Sequence, residues 1–276
     1  MSPRPGERDT AAAPAPPRIV TDPGHGGRWT SLTAAGREWL WHRPEPRRAR
    51  VAPGDAFADA GGLEECVPTV RGTPDHGDAW TRSWRHEGPV STVDGAGYRL
   101  TRTIRHLPDR AEVHYELSAA PGFRFLWAAH ALLDTAPDAH LEIEPGAPGR
   151  LYEDGGAAWT PFAWPTATPV QGGPVPFDRL GPDDGTALGA IVAADRVRVH
   201  DRGAALGFAL DTPDGHPLSV ALWRNLGGFP EGAPYRSTGV EPMLGRVFDL
   251  AAASPSDAAT VPASGRTRWR LTLTPA

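Results

Sequence analysis

From Ala111 to Ala119 the chain reads AEVHYELSA, with Val113, Tyr115 and Leu117 on one side and Glu112, His114 and Glu116 on the other. A period of two with one apolar face predicts a half-buried antiparallel strand. Tyr98 to Leu107 alternates less cleanly, and Leu107-Pro108-Asp109-Arg110 offers a hairpin turn between the two segments. Short runs of the same kind recur at Leu141 and Ile143, Ile191 to Val199, Leu206 to Leu210, Leu218 to Leu222, and Trp269 to Leu273. Asp211 to Gly215 (DTPDG) is a turn signal between two of them. No window of a dozen residues carries an apolar stripe at helical spacing. One run differs. Phe123 to Asp134 (FRFLWAAHALLD) is apolar on both sides, with Phe125, Trp127, Ala129 and Ala131 facing one way. Leu126, Ala128, His130 and Leu132 face the other, so the pattern predicts a strand covered on both faces. Many short strands without helical periods predict an all-β antiparallel sandwich or barrel.

Composition agrees and adds punctuation. The 276 residues hold 32 Gly and 31 Pro, a breaker about every four residues, which excludes coiled coils and helical bundles. Ten Trp and 39% hydrophobic residues require a core and exclude a disordered chain. Residues 1–18 hold five Pro and four Ala with little to bury, so they are expected to form a flexible tail ahead of a single domain over 19–276. Residues 145–186 contain eight Pro and eight Gly, too many for a central strand, and are expected to form a long excursion. Residues 251–265 read as another loop.

Charge narrows the partners. A formal net charge of −5, with 22% charged residues, recommends neither nucleic acid nor an anionic membrane. All basic residues are Arg, and Asn225 and Gln171 are the only side-chain amides, as expected of a GC-rich genome. The single Cys66 permits no intrachain disulfide and no cysteine-based zinc site. No apolar run reaches a bilayer-spanning length and no signal-peptide core precedes the domain, so a cytoplasmic, soluble protein is expected.

Phosphate-binding, dinucleotide-binding, zinc-protease and serine-hydrolase motifs are all absent. Three polar features stand out instead. Pro74-Asp75-His76-Gly77-Asp78-Ala79-Trp80 combines His, carboxylates and an indole, the groups that bond sugar hydroxyls and stack on a pyranose, though it also reads as an ordinary surface turn. His130 sits within the doubly apolar run, either as a satisfied core histidine or facing a cleft. Glu241, in Thr238-Gly239-Val240-Glu241-Pro242, is either a solvated edge carboxylate or a buried functional one.

With Gly61-Gly62 and Pro68 ahead of His76-Gly77, then His130, Trp223 and Glu241, the order resembles the aldose 1-epimerase (galactose mutarotase-like) superfamily. The pattern is most similar to its glucose-6-phosphate 1-epimerase-like branch. Gly26 to Leu32 and Glu38 to Trp41 resemble the first hairpin of that fold, and the likeness runs over roughly residues 19–274. The resemblance implies a β-sandwich of supersandwich type with a sugar cleft on a concave sheet. It implies cofactor-independent interconversion of sugar anomers, with Glu241 as base, His130 as acid and His76 bonding a ring or neighbouring oxygen. Further substrate contacts are expected from Asp78, Trp80, Trp223, Arg224 and Asp178. Where the branch has Phe-Ala-Arg after His-Gly, this chain has Asp78-Ala79-Trp80, which points to a neutral aldose in place of a phosphorylated one. Two other readings stay open: a carbohydrate-binding protein without turnover, and a metal-dependent isomerase using His76, His130 and Glu241. The sequence selects no oligomeric state.

Overall fold

The computed structural model describes residues 14–153 and 158–276. Among these residues the regular structure is antiparallel strand with three short 3₁₀ turns. One sheet has twelve strands. Its central members, in order across the sheet, are Arg28–Ala34, Leu63–Cys66, Trp127–Leu133, Tyr235–Leu244, Leu218–Phe229, Ala187–Val192 and Pro148–Tyr152. The second has eight, ordered His140–Glu142, Arg196–Asp201, Ala204–Asp211, Arg266–Pro275, Ala111–Ala119, Tyr98–His106, Val90–Asp94 and Arg85–Glu87. One continuous hydrophobic core draws side chains from both sheets, including Trp29, Trp127, Leu100, Val113, Phe208 and Leu271. The architecture is the antiparallel sandwich that the alternating pattern predicts.

Local expectations map closely onto the strands. Val113, Tyr115 and Leu117 are buried along Ala111–Ala119, and Leu107 N–H donates to the Arg110 carbonyl to close the hairpin. The doubly apolar run is buried from Phe125 to Leu133, with Arg124 and Asp134 exposed at its ends, and it divides at Leu126. Phe125 pairs with Ala259, whereas Trp127 pairs with Leu244. Ile191 to Val199 also divides, between Ala187–Val192 in one sheet and Arg196–Asp201 in the other.

The proline-rich excursion is more regular than composition alone suggests. It supplies Pro148–Tyr152, Thr160–Ala163, Thr166–Ala167 and Val175–Pro176, which extend the twelve-stranded sheet to its edge. Pro148 is the first residue of its strand and Pro176 lies in the strand at the sheet edge, two positions where proline costs no ladder hydrogen bond. Within 251–265, Ala259–Thr260 forms a two-stranded ribbon with Arg124–Phe125. Of the tail expected over 1–18, residues 1–13 lie outside the described residues. Arg18 begins the first strand, and the Pro17 carbonyl is 3.2 Å from Nδ1 of His106. No helix among the described residues is long and apolar enough to cross a membrane.

Candidate functional site

Strand register creates the site. Trp127–Leu133 pairs with Tyr235–Leu244 at Ala128 with Met243 and at Leu132 with Gly239, so the intervening count sets His130 opposite Glu241. Directly opposed residues on one face lie within side-chain reach. Two residues further along, the next row across the sheet is Leu132, Gly239, Trp223, Gly189 and Tyr152. Bulky residues alternate with glycines there, and the missing side chains hollow the face. A Cβ on Gly239 would stand 2.6 Å from Oε1 of Glu241 and 2.7 Å from Cβ of Trp223.

The hollow is a cleft of about 210 Å³, lined by residues that include His76, His130, Trp223 and Glu241. Its other walls come from Phe57, Asp59, Arg71, Asp75, Tyr152, Phe229, Tyr235 and Phe248. His130 and Glu241 are only 8% and 2% exposed. Their Nε2 and Oε1 atoms are 3.7 Å apart, and Oε2 of Glu241 is buried without a hydrogen-bond partner among the described residues. Burial holds the Glu241 carboxyl above its ordinary range, while the attraction of His130 pulls it back. Burial lowers the His130 imidazole; Glu241 raises it and neighbouring His76 lowers it further. Both groups are thus displaced toward their neutral forms, with their mutual attraction opposing the displacement.

His76 enters from a tight turn. Its φ is +58°, a left-handed conformation unfavourable for a side-chain-bearing residue, and Gly77 follows at +74°. A Cβ on Gly77 would fall 2.0 Å from the Val67 carbonyl oxygen, so only glycine fits where Asp78 N–H donates to that carbonyl at 3.0 Å. The imidazole is held at 2.8 Å by Asp75 and stacked on Phe57 with ring centroids 3.8 Å apart. It meets His130 edge to face at 5.0 Å. Burial works against ionisation of Asp75, but hydrogen bonds from His76 and Phe57 N–H, with the charges of His76 and Arg71, bring its carboxyl down to about 2. Across the cleft, Tyr235 donates its hydroxyl to Asp59 and stacks on Trp41 at 4.7 Å. Phe229 and Trp223 form an edge-to-face pair at 5.8 Å.

Four residues expected to touch substrate are placed elsewhere. Asp78 is buried behind the turn, accepting from Tyr98 Oη at 2.6 Å, Arg82 at 2.7 Å and Ala96 N–H at 3.0 Å. Trp80 is fully buried and donates Nε1 to the carbonyls of Asp75 and Gly77. Both brace the turn that carries His76. Arg224 follows Trp223 on a strand and points to the opposite face, donating to Thr186, Asp184 and the Leu180 carbonyl. The Asp178 side chain lies 3.8 Å from Arg179, outside the cleft lining, and its carbonyl accepts from Leu141 N–H. With Asp78 and Trp80 removed from the cleft wall, the inference from them to a neutral sugar loses its basis. Among the described residues, no group of three or more His, Cys, Asp or Glu side chains is placed to hold a metal ion.

Sequence reasoning missed Phe57, Asp59, Arg71, Tyr152, Phe229, Tyr235 and Phe248. Asp75 stood inside the quoted turn motif without being assigned a role. The others come from loops and strand ends that only tertiary closure brings together, and no local pattern marks them.

No family model matches the chain, and no curated protein matches it by sequence. Solved structures do share its architecture. The Slr1438 protein from Synechocystis sp. PCC 6803 superposes with a TM-score of 0.69 at 13% identity, covering 95% of this chain and 92% of that one. A galactose mutarotase-like protein from Lactobacillus casei ATCC 334 gives 0.62 at 16% identity, covering 94% of this chain and 100% of that one. A galactose mutarotase related enzyme from Lactobacillus acidophilus gives 0.60 at 11% identity, covering 94% and 97%. What these identities share is the fold, the galactose mutarotase-like sandwich.

Proposed function

We propose that the protein is an aldose 1-epimerase-like isomerase that interconverts sugar anomers by acid–base ring opening. The supporting observation is a buried carboxylate with an unpartnered oxygen, lining a cleft 3.7 Å from a buried imidazole. Such an oxygen accepts a hydroxyl at little further desolvation cost. The fold neighbours support the class of chemistry. The narrower likeness to the glucose-6-phosphate branch rests on motif order alone.

Ring opening requires a proton to leave the C1 hydroxyl while another reaches the ring oxygen. Glu241, as carboxylate, takes the first, and His130, as imidazolium, supplies the second. His76, fixed by Asp75 and Phe57, bonds a ring or neighbouring oxygen. The opened aldehyde then rotates about C1–C2 and closes with the roles reversed. The pair passes from carboxylate plus imidazolium to carboxylic acid plus neutral imidazole and back, with zero net charge in both states. Burial favours the neutral form, and the attraction between the two groups opposes it. Trp223 and Phe229 supply apolar faces for the sugar ring.

NMR exchange spectroscopy over a panel of aldoses tests this reading. Exchange between anomers faster than the spontaneous rate is expected for at least one member. Binding without accelerated exchange across the panel would assign the cleft to a carbohydrate-binding protein instead.

A further inference from the structure

Asp75 holds both His76 and the residue stacked upon it. Its Oδ1 lies 2.8 Å from Nδ1 of the imidazole, and its Oδ2 accepts the Phe57 N–H at 3.0 Å. Phe57 covers the face of the same imidazole at 3.8 Å, with 12° between the rings. One carboxylate thus fixes the ring's edge and the position of its cover. Although burial opposes ionisation, hydrogen bonds and the charges of His76 and Arg71 bring this carboxyl down to about 2. Ionised, it only accepts.

An acceptor at Nδ1 requires the proton of the neutral ring to sit there. Nε2 is then a bare lone pair, without a hydrogen-bond partner among the described residues, on a side chain that lines the cleft. A second proton is opposed by His130, which is imidazolium when it delivers its own proton and stands 5.0 Å away. Arg71 acts on the same Asp75 charge and weakens its pull on that second proton. A lone pair cannot bond the ring oxygen of a sugar, which has no proton to give. It needs a hydroxyl.

Strand order indicates which one. Trp127–Leu133, carrying His130, lies between Tyr235–Leu244, carrying Glu241, and Leu63–Cys66. The His76 turn pairs through Gly77 with Val67, just past Leu63–Cys66, so His76 flanks His130 on the side away from Glu241. With C1 at Glu241 and the ring oxygen at His130, the next ring atom on that side is C5.

We infer that Asp75 is a positioning residue that fixes His76 as a hydrogen-bond acceptor, and that His76 thereby selects aldoses with a free hydroxyl on the carbon attached to C5. This rests on the acid–base reading above and narrows the His76 contact from any oxygen to that hydroxyl.

Nitrogen-15 NMR of the histidine side chains near neutral pH reads the tautomer directly. Wild-type His76 is expected to show a protonated Nδ1 and a bare Nε2, and Asp75→Ala should populate both tautomers. A protonated Nε2 in wild type, alone or with Nδ1, would overturn the inference. Anomer-exchange kinetics then compare D-glucose and D-galactose with their 6-deoxy analogues and with D-glucose 6-phosphate. Loss of the 6-hydroxyl should lower wild-type kcat/KM about 10- to 100-fold, mainly through KM, because it leaves Nε2 unpaired. In Asp75→Ala that ratio should collapse toward one, and a ratio taken within one variant cancels any loss of folded protein. Equal handling of the hydroxyl and deoxy sugars, a ratio unchanged in Asp75→Ala, or a preference for the phosphate would overturn the inference. Calorimetry with the non-opening methyl glucosides, 6-hydroxyl and 6-deoxy, separates it from the isomerase reading. Asp75-dependent discrimination in binding without exchange of any aldose would keep the hydroxyl contact and refute the isomerase. Exchange without discrimination would do the reverse, and neither binding nor exchange of any of these sugars would refute both.

Discussion

At the scale of single residues, His130 and Glu241 carry the account, and each sets the other's proton affinity. Glu241 raises the imidazole against the effect of burial. In Glu241→Gln that support disappears, so the His130 pKa should fall further below that of wild type, as read by NMR titration of its ring protons. An unchanged or raised value would show that the two groups are not coupled. Their linkage also predicts a bell-shaped pH profile, because the working pair holds one proton. Activity is lost at low pH when the pair gains a second proton and at high pH when it loses the last. Both residues were legible from the order of motifs, each for a different reason. His130 is polar within a run buried on both faces, and Glu241 belongs to a segment quoted for the resemblance. Asp78 and Trp80 were legible as residues but not as roles, because sequence adjacency to His76 cannot tell a residue in the cleft from one bracing the turn behind it.

At the scale of elements, one strand pairing aligns His130 with Glu241, and two glycines open the space in front of them. Gly239 is held by close approach to Trp223 and Glu241. Gly239→Ala should lower kcat/KM by about 10- to 100-fold by displacing the carboxylate, while costing roughly 1–3 kcal/mol of stability in urea unfolding. Wild-type kinetics in that variant would remove the steric account of the hollow. The strands were largely readable where one face is wet, as at Ala111–Ala119. They were less readable where both faces are buried, since Phe123 to Asp134 gives no period to reveal the break at Leu126. The short strands of the 145–186 excursion escaped notice because their pairing depends on a sheet edge supplied by distant residues.

At the scale of the molecule, the two sheets are joined by a buried polar fastener as well as by apolar contact. Glu65, on the cleft-bearing sheet, accepts from Arg102 at 2.9 Å and Tyr115 at 2.9 Å on the facing sheet, and from Trp127 Nε1 at 2.7 Å on its own. Glu65 and Arg102 are both fully buried. Glu65→Ala leaves the guanidinium uncompensated and should cost about 3–5 kcal/mol in urea unfolding. A loss under 1 kcal/mol would show that water or a rearranged partner takes its place. The sandwich itself was readable from alternation and turn density. The fastener was not, because Glu64-Glu65 looks like a solvated pair until the second sheet closes over it.

The central claim is that Glu241 and His130 exchange protons with a bound aldose. The most direct measurement is the NMR anomer-exchange rate of wild type, Glu241→Gln and His130→Ala on whichever aldose wild type turns over fastest, with folding verified by urea unfolding. Each substitution is predicted to lower the enzyme-dependent rate by about 10²- to 10⁴-fold, with both variants still folded. Folded variants that retain the wild-type rate would contradict the claim.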